Sequence, residues 1–521
     1  MAKLIPFVFM PAEIKSLQTL CAQALERPPA QPVIEYQGEW RTWGEMRRVA
    51  ERLAALIDAS GAQPQAPVAL VARNRPSTIA ALLGLIARGR TICMLYAYQS
   101  GAALARDAER LKAAVLVAAR EDFSDELIGA LRGQGTAAIA LSEMDACALP
   151  GLEQSRADAV SHSAPPCIEL LTSGTTGPPK RFAIGFDLIA RHFVGSSLTQ
   201  ASAGSGRSEG AAEPPPFLLF MPLGNISGVY TTIPAMLRGQ RAVLLERFTV
   251  SAWHEHVLRY RPQISGLPPA GVQMVLDADI PPADLASIRS LGTGAAPLDP
   301  TTHRAFEERY GIPILLSYGA TEFAGPVTAM TAELHAQWGK QKFGSVGRPI
   351  AGAQLRAIDP DTGEVLPPGQ EGILEVTVPR MGTEWIRTSD IAVIDEDGFL
   401  FHRGRADGAI MRGGFKLLPE TIERALLLHK AISAVAVLGL PDQRLGQVPA
   451  AAIQLKPGVG RPEIADLEAH LRRHVYATHV PVVWRIVEEL PRTPSLKIDR
   501  PAVRRLFEAD PNEPSGRANF T

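Results

Sequence analysis

Along the first 170 residues, unbroken apolar runs alternate with segments whose apolar positions recur every three or four residues. VALVAR (68–73), TICMLYA (91–97), AAVLVAA (113–119) and AAIAL (137–141) are runs of the first kind and predict buried strands, and IELLT (168–172) repeats the strand signal with Glu169 inside it. RTWGEMRRVAERLAALIDA is of the second kind. Thr42 and Glu45 stand at capping-box spacing, and Val49, Leu53, Leu56 and Ile57 then fall on one helical face. STIAALLGLIARGR predicts another helix between two of the strands. Strands alternating with helices predict an α/β fold, with a parallel sheet covered by helices.

A second unit of the same kind begins near residue 408. KLLPETIERALLL predicts a helix with Pro419 in its first turn, AVAVLGL and AAAIQL predict strands, and ADLEAHLRRHV a further helix. Just before it, FHRGRADGAIMRGGFK has the glycine and charge content of a hinge. The expected organisation is a large N-terminal multi-subdomain α/β domain over 1–404, a hinge at 405–408 and a small mobile C-terminal α+β domain over 409–509. A disordered tail is expected at 510–521, and ASAGSGRSEGAAEPPP (201–216) reads as a surface loop.

Composition narrows the class. The 521 residues suffice for two to four domains, and the 53 basic and 54 acidic side chains leave a formal charge of −1. That balance argues against a dedicated partner in nucleic acid or an anionic membrane. Cys21, Cys93, Cys147 and Cys167 are scattered without a CxxC pair, as expected for reduced thiols in a cytoplasmic enzyme. The apolar stretch from Leu4 to Met10 is short and contains Pro6, unlike a signal peptide, and no apolar run is long enough to predict a membrane-spanning helix. A homodimer is compatible with all of this.

The chemistry concentrates in LLTSGTTGPPK (170–180), where a predicted strand enters a loop dense in glycine and hydroxyls and ends on Lys180. Glycines let a backbone approach a phosphate, the hydroxyls of Thr172, Ser173, Thr175 and Thr176 add donors, and the lysine neutralises charge. Pro179 before the lysine and Arg181 after it exclude a Walker A loop.

This loop resembles the phosphate-binding signature of the adenylate-forming superfamily: acyl-CoA synthetases, adenylation domains of nonribosomal peptide synthetases, and luciferases. Further matches follow in the family's order from about residue 170 to 500. The resemblance implies that Thr172, Ser173, Gly174, Thr175, Thr176, Gly177 and Lys180 hold phosphate, with Thr176 also catalytic. LGTGAAPL (291–298) resembles a glycine- and alanine-rich strand end, which would place Gly294, Ala295, Ala296 and Pro297 at the nucleotide and Thr293 at the acid. SYGATE (317–322) implies Ser317, Tyr318 and Gly319 at the adenine, Thr321 at a phosphate and Glu322 as the magnesium ligand.

TSD (388–390) stands where the family usually has TGD, so Ser389 replaces a glycine and Asp390 would hold the ribose hydroxyls. GRAD (404–407) resembles the hinge motif, with Arg405 at the ribose or phosphate and Asp407 as the pivot. RGGFK (412–416) implies a thiol tunnel lined by Arg412, Gly413, Gly414 and Phe415. PRTPSLKIDR (491–500) resembles the C-terminal lysine motif and makes Lys497 the expected catalytic lysine, with Leu496 in place of the usual glycine.

FMPLGNISGVY (220–230) puts Asn225 where the family commonly has a histidine and Gly224 where it has an aromatic residue. Asn225, Ile226, Val229, Thr293, Gly319 and Ala324 are the expected acid-binding residues. They carry no charge to pair an amino group, so the expected acid is apolar: fatty, alicyclic or aromatic. The resemblance implies an AMP-forming acid–thiol ligase that uses ATP and Mg²⁺, with coenzyme A as the acceptor because no carrier domain follows Lys497. Loading a separate carrier protein is the alternative among enzymes. A decayed protein that binds nucleotide or acyl-CoA without turnover is the alternative outside them.

Overall fold

The computed structural model describes residues 15–156, 165–172, 180–194, 214–413, 415–493 and 495–508, and gives only the backbone at 171, 172 and 180. The expected phosphate-binding residues Ser173 to Gly177, Gly414, most of the predicted 201–216 loop and the predicted tail lie outside them. The described chain falls into two compact units that divide between Arg247 and Phe248, and the predicted hinge lies inside the second.

The first unit carries the predicted parallel sheet. Its strands lie in the order Ala146–Ala148, Ala137–Leu141, Val115–Ala119, Val68–Ala72, Ile92–Tyr96, Cys167–Thr172 and Lys180–Gly185. The five central strands pair in parallel and the two edge strands are antiparallel. Four of the five central strands read as unbroken apolar runs because helices cover both faces of such a sheet. Thr42 caps the helix Trp43–Ala59: its Oγ1 accepts from the Glu45 N–H while Glu45 accepts from the Thr42 N–H at 2.7 Å. Val49, Leu53 and Ile57 of that helix are buried as predicted, with Leu56 at the edge of the stripe. The neighbouring helix Pro76–Ala87 is buried almost throughout. A Cβ at its Gly84 would lie 2.7 Å from the Ala50 side chain, so the two helices touch backbone to side chain.

The second unit positions the candidate site. Strands Ile264–Gly266, Ser290–Thr293 and Ile314–Ala320 run parallel, and Gly325–Ala329 and Arg348–Pro349 extend the sheet antiparallel. Crevices at the carboxyl ends of parallel strands are common ligand sites, and LGTGAAPL and SYGATE both sit at such ends. An antiparallel meander follows: Gln354–Ile358, Glu371–Thr377, Ile386–Ile394 and Leu400–Arg405.

The glycine- and charge-rich stretch predicted as a hinge is more regular than its composition suggests. It forms the end of strand Leu400–Arg405, a turn through Ala406–Ala409, and the hairpin Ile410–Arg412 with Phe415–Leu417. The terminal segment packs both faces of one sheet. Val435, Val437, Ala451 and Ile453 meet helices Pro419–Leu427 and Ile464–Arg472 on one side; Ala436, Leu438, Ala450 and Ala452 meet Val503 of helix Arg500–Glu508 on the other. The period-two alternation of a strand thus supplies two separate cores.

Candidate active site

Asp390 and Arg405 face each other across the hairpin of strands Ile386–Ile394 and Leu400–Arg405. Asp395 fixes the turn between those strands, its Oδ1 accepting from the N–H groups of Asp397 and Phe399 at 3.0 and 2.9 Å. Asp390 is only 9% exposed. Its carboxylate accepts from the Tyr318 hydroxyl and lies 3.4 Å from His402 Nε2, and its own N–H donates to Thr388 Oγ1 at 2.9 Å. Burial by itself would push this carboxyl up. The His402 and Tyr318 contacts and the nearby Arg405 charge outweigh burial and hold it below the ordinary aspartate range. The result is a fixed, ionised acceptor. Burial and the Asp390 charge push the Tyr318 hydroxyl far above the usual tyrosine value, so it remains a donor.

Arg405 is the hub of this corner. Its Nε and Nη2 donate to Asp407 at 2.9 and 2.7 Å, and its Nη2 also donates to Ser389 Oγ at 2.6 Å. Asp390 and Glu322 are close enough to add to the guanidinium's positive character. Glu322 occupies the one-turn segment Thr321–Phe323, which leaves its side chain exposed. Arg380 pins that turn from below by donating to the carbonyls of Phe323 and Pro326.

Two glycines let these strand ends pack closely: a Cβ at Gly294 would lie 2.5 Å from Ser317 Oγ, and one at Gly319 would lie 2.4 Å from the Gly325 carbonyl. Ala295 and Ala324 both adopt left-handed backbone, at φ 67° and 51°. Ala324 is fully buried, and Thr293 Oγ1 donates to Leu267 O at 2.7 Å. Both residues are therefore part of the buried packing of this region.

Lys497 also lies within the electrostatic reach of Arg405. The protein packed around the ammonium, and then the Arg405 charge, lower its pKa below the usual lysine value while leaving the side chain open to solvent. Leu496, at φ 59°, occupies the left-handed backbone that the family's glycine would adopt without strain, a conformation that costs an L-residue roughly 1–2 kcal/mol. Three hydrogen bonds hold it there: Arg492 Nη1 to Leu496 O at 3.0 Å, Leu496 N to Thr493 O at 2.8 Å and Thr493 N to Lys497 O at 2.7 Å. Arg500, at the end of the motif, donates to Val437 O at 2.8 Å and contacts Glu423 at 3.2 Å, which fastens the loop to the terminal sheet.

The other expected residues lie on other elements. Arg412 donates to the Thr478 and Val480 carbonyls, so its guanidinium anchors the hairpin, while Phe415 beside it is 64% exposed. In the first unit, Thr172 and Lys180 are register partners at the strand ends adjoining residues 173–179. Asn225 precedes the helix Ile226–Leu237, whose Val229 is fully buried. Sequence reading did not single out His402, Arg380 or Arg492. The DEDG turn was the available signal for His402, since it sets a register that brings residue 402 beside strand Ile386–Ile394.

Among the described residues, no cluster of three or more His, Cys, Asp or Glu makes a ready-built metal site. Mg²⁺ held largely by substrate phosphates needs only one or two carboxylates, and the exposed Glu322 on its pinned turn fits that donor set.

The model of the AMP-binding enzyme family matches residues 21–383, and that of the family's C-terminal domain matches 421–497. The chain belongs to this family of AMP-binding enzymes. It is 31% identical to sulfoacetate–CoA ligase of Cupriavidus necator over 68% of this chain and 71% of that protein. It is 28% identical to 2-succinylbenzoate–CoA ligase of Geobacillus kaustophilus over 90% of this chain and 93% of that one. Its fold matches the ATP-bound structure of MatB from Rhodopseudomonas palustris with a TM-score of 0.78 at 21% identity, covering 95% of this chain and 99% of the other.

Proposed function

We propose that this AMP-binding enzyme is an acid–coenzyme A ligase that forms an acyl-adenylate from ATP and then transfers the acyl group to the thiol. One observation carries the reading: a buried, ionised Asp390 held by Tyr318 and His402, with Arg405 beside it and Glu322 and Lys497 within the electrostatic reach of that guanidinium, all in one unit. Asp390 accepts from the ribose hydroxyls, and the Tyr318 ring supports the adenine. In the first half-reaction a carboxylate oxygen bonds to the α-phosphorus of ATP while the bond to pyrophosphate breaks. Two anions must be aligned and their charge cancelled. Lys497 and Arg405 supply fixed positive charge for this step. Magnesium held by Glu322 would neutralise the polyphosphate. In the second half-reaction the thiolate sulfur attacks the acyl carbon, the bond to AMP breaks, and the thiol proton goes to solvent. Domains divided near Asp407 would let Lys497 withdraw between the two steps, bringing Phe415 and its hairpin to the thiol.

The acid is apolar beyond its carboxylate. Asn225, Ile226 and Val229 offer no counter-charge, and an unpaired charge buried among them would be costly. The relatives themselves are named for sulfoacetate, 2-succinylbenzoate, benzoate and long-chain fatty acids. The test is a panel of fatty, alicyclic, aromatic, sulfonated, dicarboxylic and amino acids, with AMP and pyrophosphate quantified in the presence of coenzyme A or a phosphopantetheinylated carrier protein. Apolar acids should be the best substrates, with a coenzyme A thioester as product. ADP and phosphate would refute the adenylation, carrier loading would refute the acceptor, and a sulfonated or amino acid as best substrate would refute the pocket reading.

A further inference from the structure

Ser389 stands where the family's TGD motif usually has glycine, and it touches both sides of the bend that leads into the terminal segment. Its Oγ accepts from Arg405 Nη2 at 2.6 Å and its carbonyl accepts from the Ala406 N–H at 2.7 Å. The same guanidinium reaches Asp407 through two hydrogen bonds. A glycine at 389 would keep the main-chain contact and lose the side-chain one. The next residue along the strand is Asp390, so a single peptide unit joins the buried carboxylate to the group that fixes Arg405.

We propose that Ser389 is a positioning residue: its hydroxyl sets the Arg405 guanidinium and, with Asp407, closes a Ser389–Arg405–Asp407 clasp that favours the orientation used for adenylate formation. The assignment to half-reactions rests on the proposed function; the positioning of Arg405 does not. With the clasp closed, Arg405 is close enough to act on the charge of both Asp390 and Lys497. Opening it releases the Arg405 guanidinium from both sides of the bend, which a rotation there requires. The Arg405 side chain is 45% exposed, so water competes for the guanidinium and the effect of the hydroxyl is modest. Its signature is a change in the ratio between two reactions rather than loss of either.

The test compares wild type with Ser389→Ala, which removes only the hydroxyl, and Ser389→Thr, which keeps it. Three quantities are measured on the whole chain: the AMP dissociation constant by calorimetry, ATP-dependent pyrophosphate exchange, and thioester formation from synthetic acyl-AMP. Ser389→Ala should weaken AMP binding and raise the KM for ATP by about three- to ten-fold, as expected for losing one hydrogen bond to a partly exposed charge. Thioester formation should be unchanged or faster, and Ser389→Thr should stay within two-fold of wild type throughout. Unchanged AMP affinity in Ser389→Ala overturns the proposal, whatever acid the enzyme uses. Equal losses in both half-reactions, or a threonine variant as impaired as the alanine one, also overturn it, because a merely structural residue would behave so. A wild type that binds AMP but forms no adenylate with any acid would instead refute the proposed function, and the AMP measurement would still decide the role of Ser389.

Discussion

Asp390 and Glu322 are both carboxylates of the second unit, and the protein houses them in opposite ways. Asp390 is buried, touched by Tyr318 and His402, and held ionised against its own burial. Glu322 is exposed on a single turn whose backbone is pinned by Arg380. The difference follows the chemistry each would meet on the proposed reading. A neutral ribose is recognised by direction, which demands an acceptor already in place. A polyphosphate–metal complex brings its own charge and water, so its ligand has to be reachable rather than enclosed. Lys497 resembles Glu322 in being open to solvent, although the loop that carries it is tightly hydrogen-bonded. On that reading the nucleoside corner is built in advance, and the charge-cancelling groups are completed by the substrate.

Lys497→Ala should break the second half of this comparison most severely. Acyl-AMP formation should fall on the order of 100- to 1000-fold, the scale of losing one preorganised charge, with thioester formation from supplied acyl-AMP nearly intact. Equal losses in both, by pyrophosphate exchange and thioester yield, would make the lysine structural. Its lowered pKa adds a pH signature. The ammonium is charged below that pKa and neutral above it, so adenylate formation in wild type should decline at a pH below the ordinary lysine range. Asp390→Asn should come next. It leaves Tyr318 and His402 facing an amide and should raise the KM for ATP by roughly 10- to 100-fold, with a smaller change in kcat. Glu322→Gln should impair adenylate formation chiefly at limiting Mg²⁺ and recover toward wild type as the metal is raised; a loss independent of Mg²⁺ would remove Glu322 from the metal. Tyr318→Phe should have the smallest effect, roughly three- to ten-fold in the KM for ATP, because the ring remains. Without the hydroxyl the Asp390 carboxyl should titrate higher, so ATP binding should be lost at a higher pH as the solution is acidified.

The sequence made much of this legible where local pattern decides structure. Unbroken apolar runs marked the parallel strands, and Thr42 with Glu45 marked a helix start that the structure reproduces. Resemblance to the family's motifs brought out Tyr318, Glu322, Asp390, Arg405 and Lys497, all of which lie in the second unit. What escaped depends on register and on contacts distant in sequence. His402 reaches Asp390 only because two strands pair in one register, and Arg380 reaches the Glu322 turn across 57 residues. Arg412, expected to line a thiol tunnel, donates to two backbone carbonyls, a use that its glycine-rich surroundings do not suggest. Composition marked the segment around GRAD as a hinge without showing its strand structure. Arg405 in fact ends a paired strand, because strand Ile386–Ile394 supplies hydrogen-bonding partners that its own sequence does not announce.

The most direct test of the contrast between a prebuilt corner and substrate-completed charge is calorimetric titration of AMP, without acid or metal, into wild type, Asp390→Asn and Glu322→Gln. AMP presents the nucleoside and lacks the polyphosphate. The account predicts that Asp390→Asn weakens AMP binding by about ten-fold or more while Glu322→Gln remains within two-fold of wild type. Equal weakening in both variants, or AMP affinity untouched by Asp390→Asn, would contradict it.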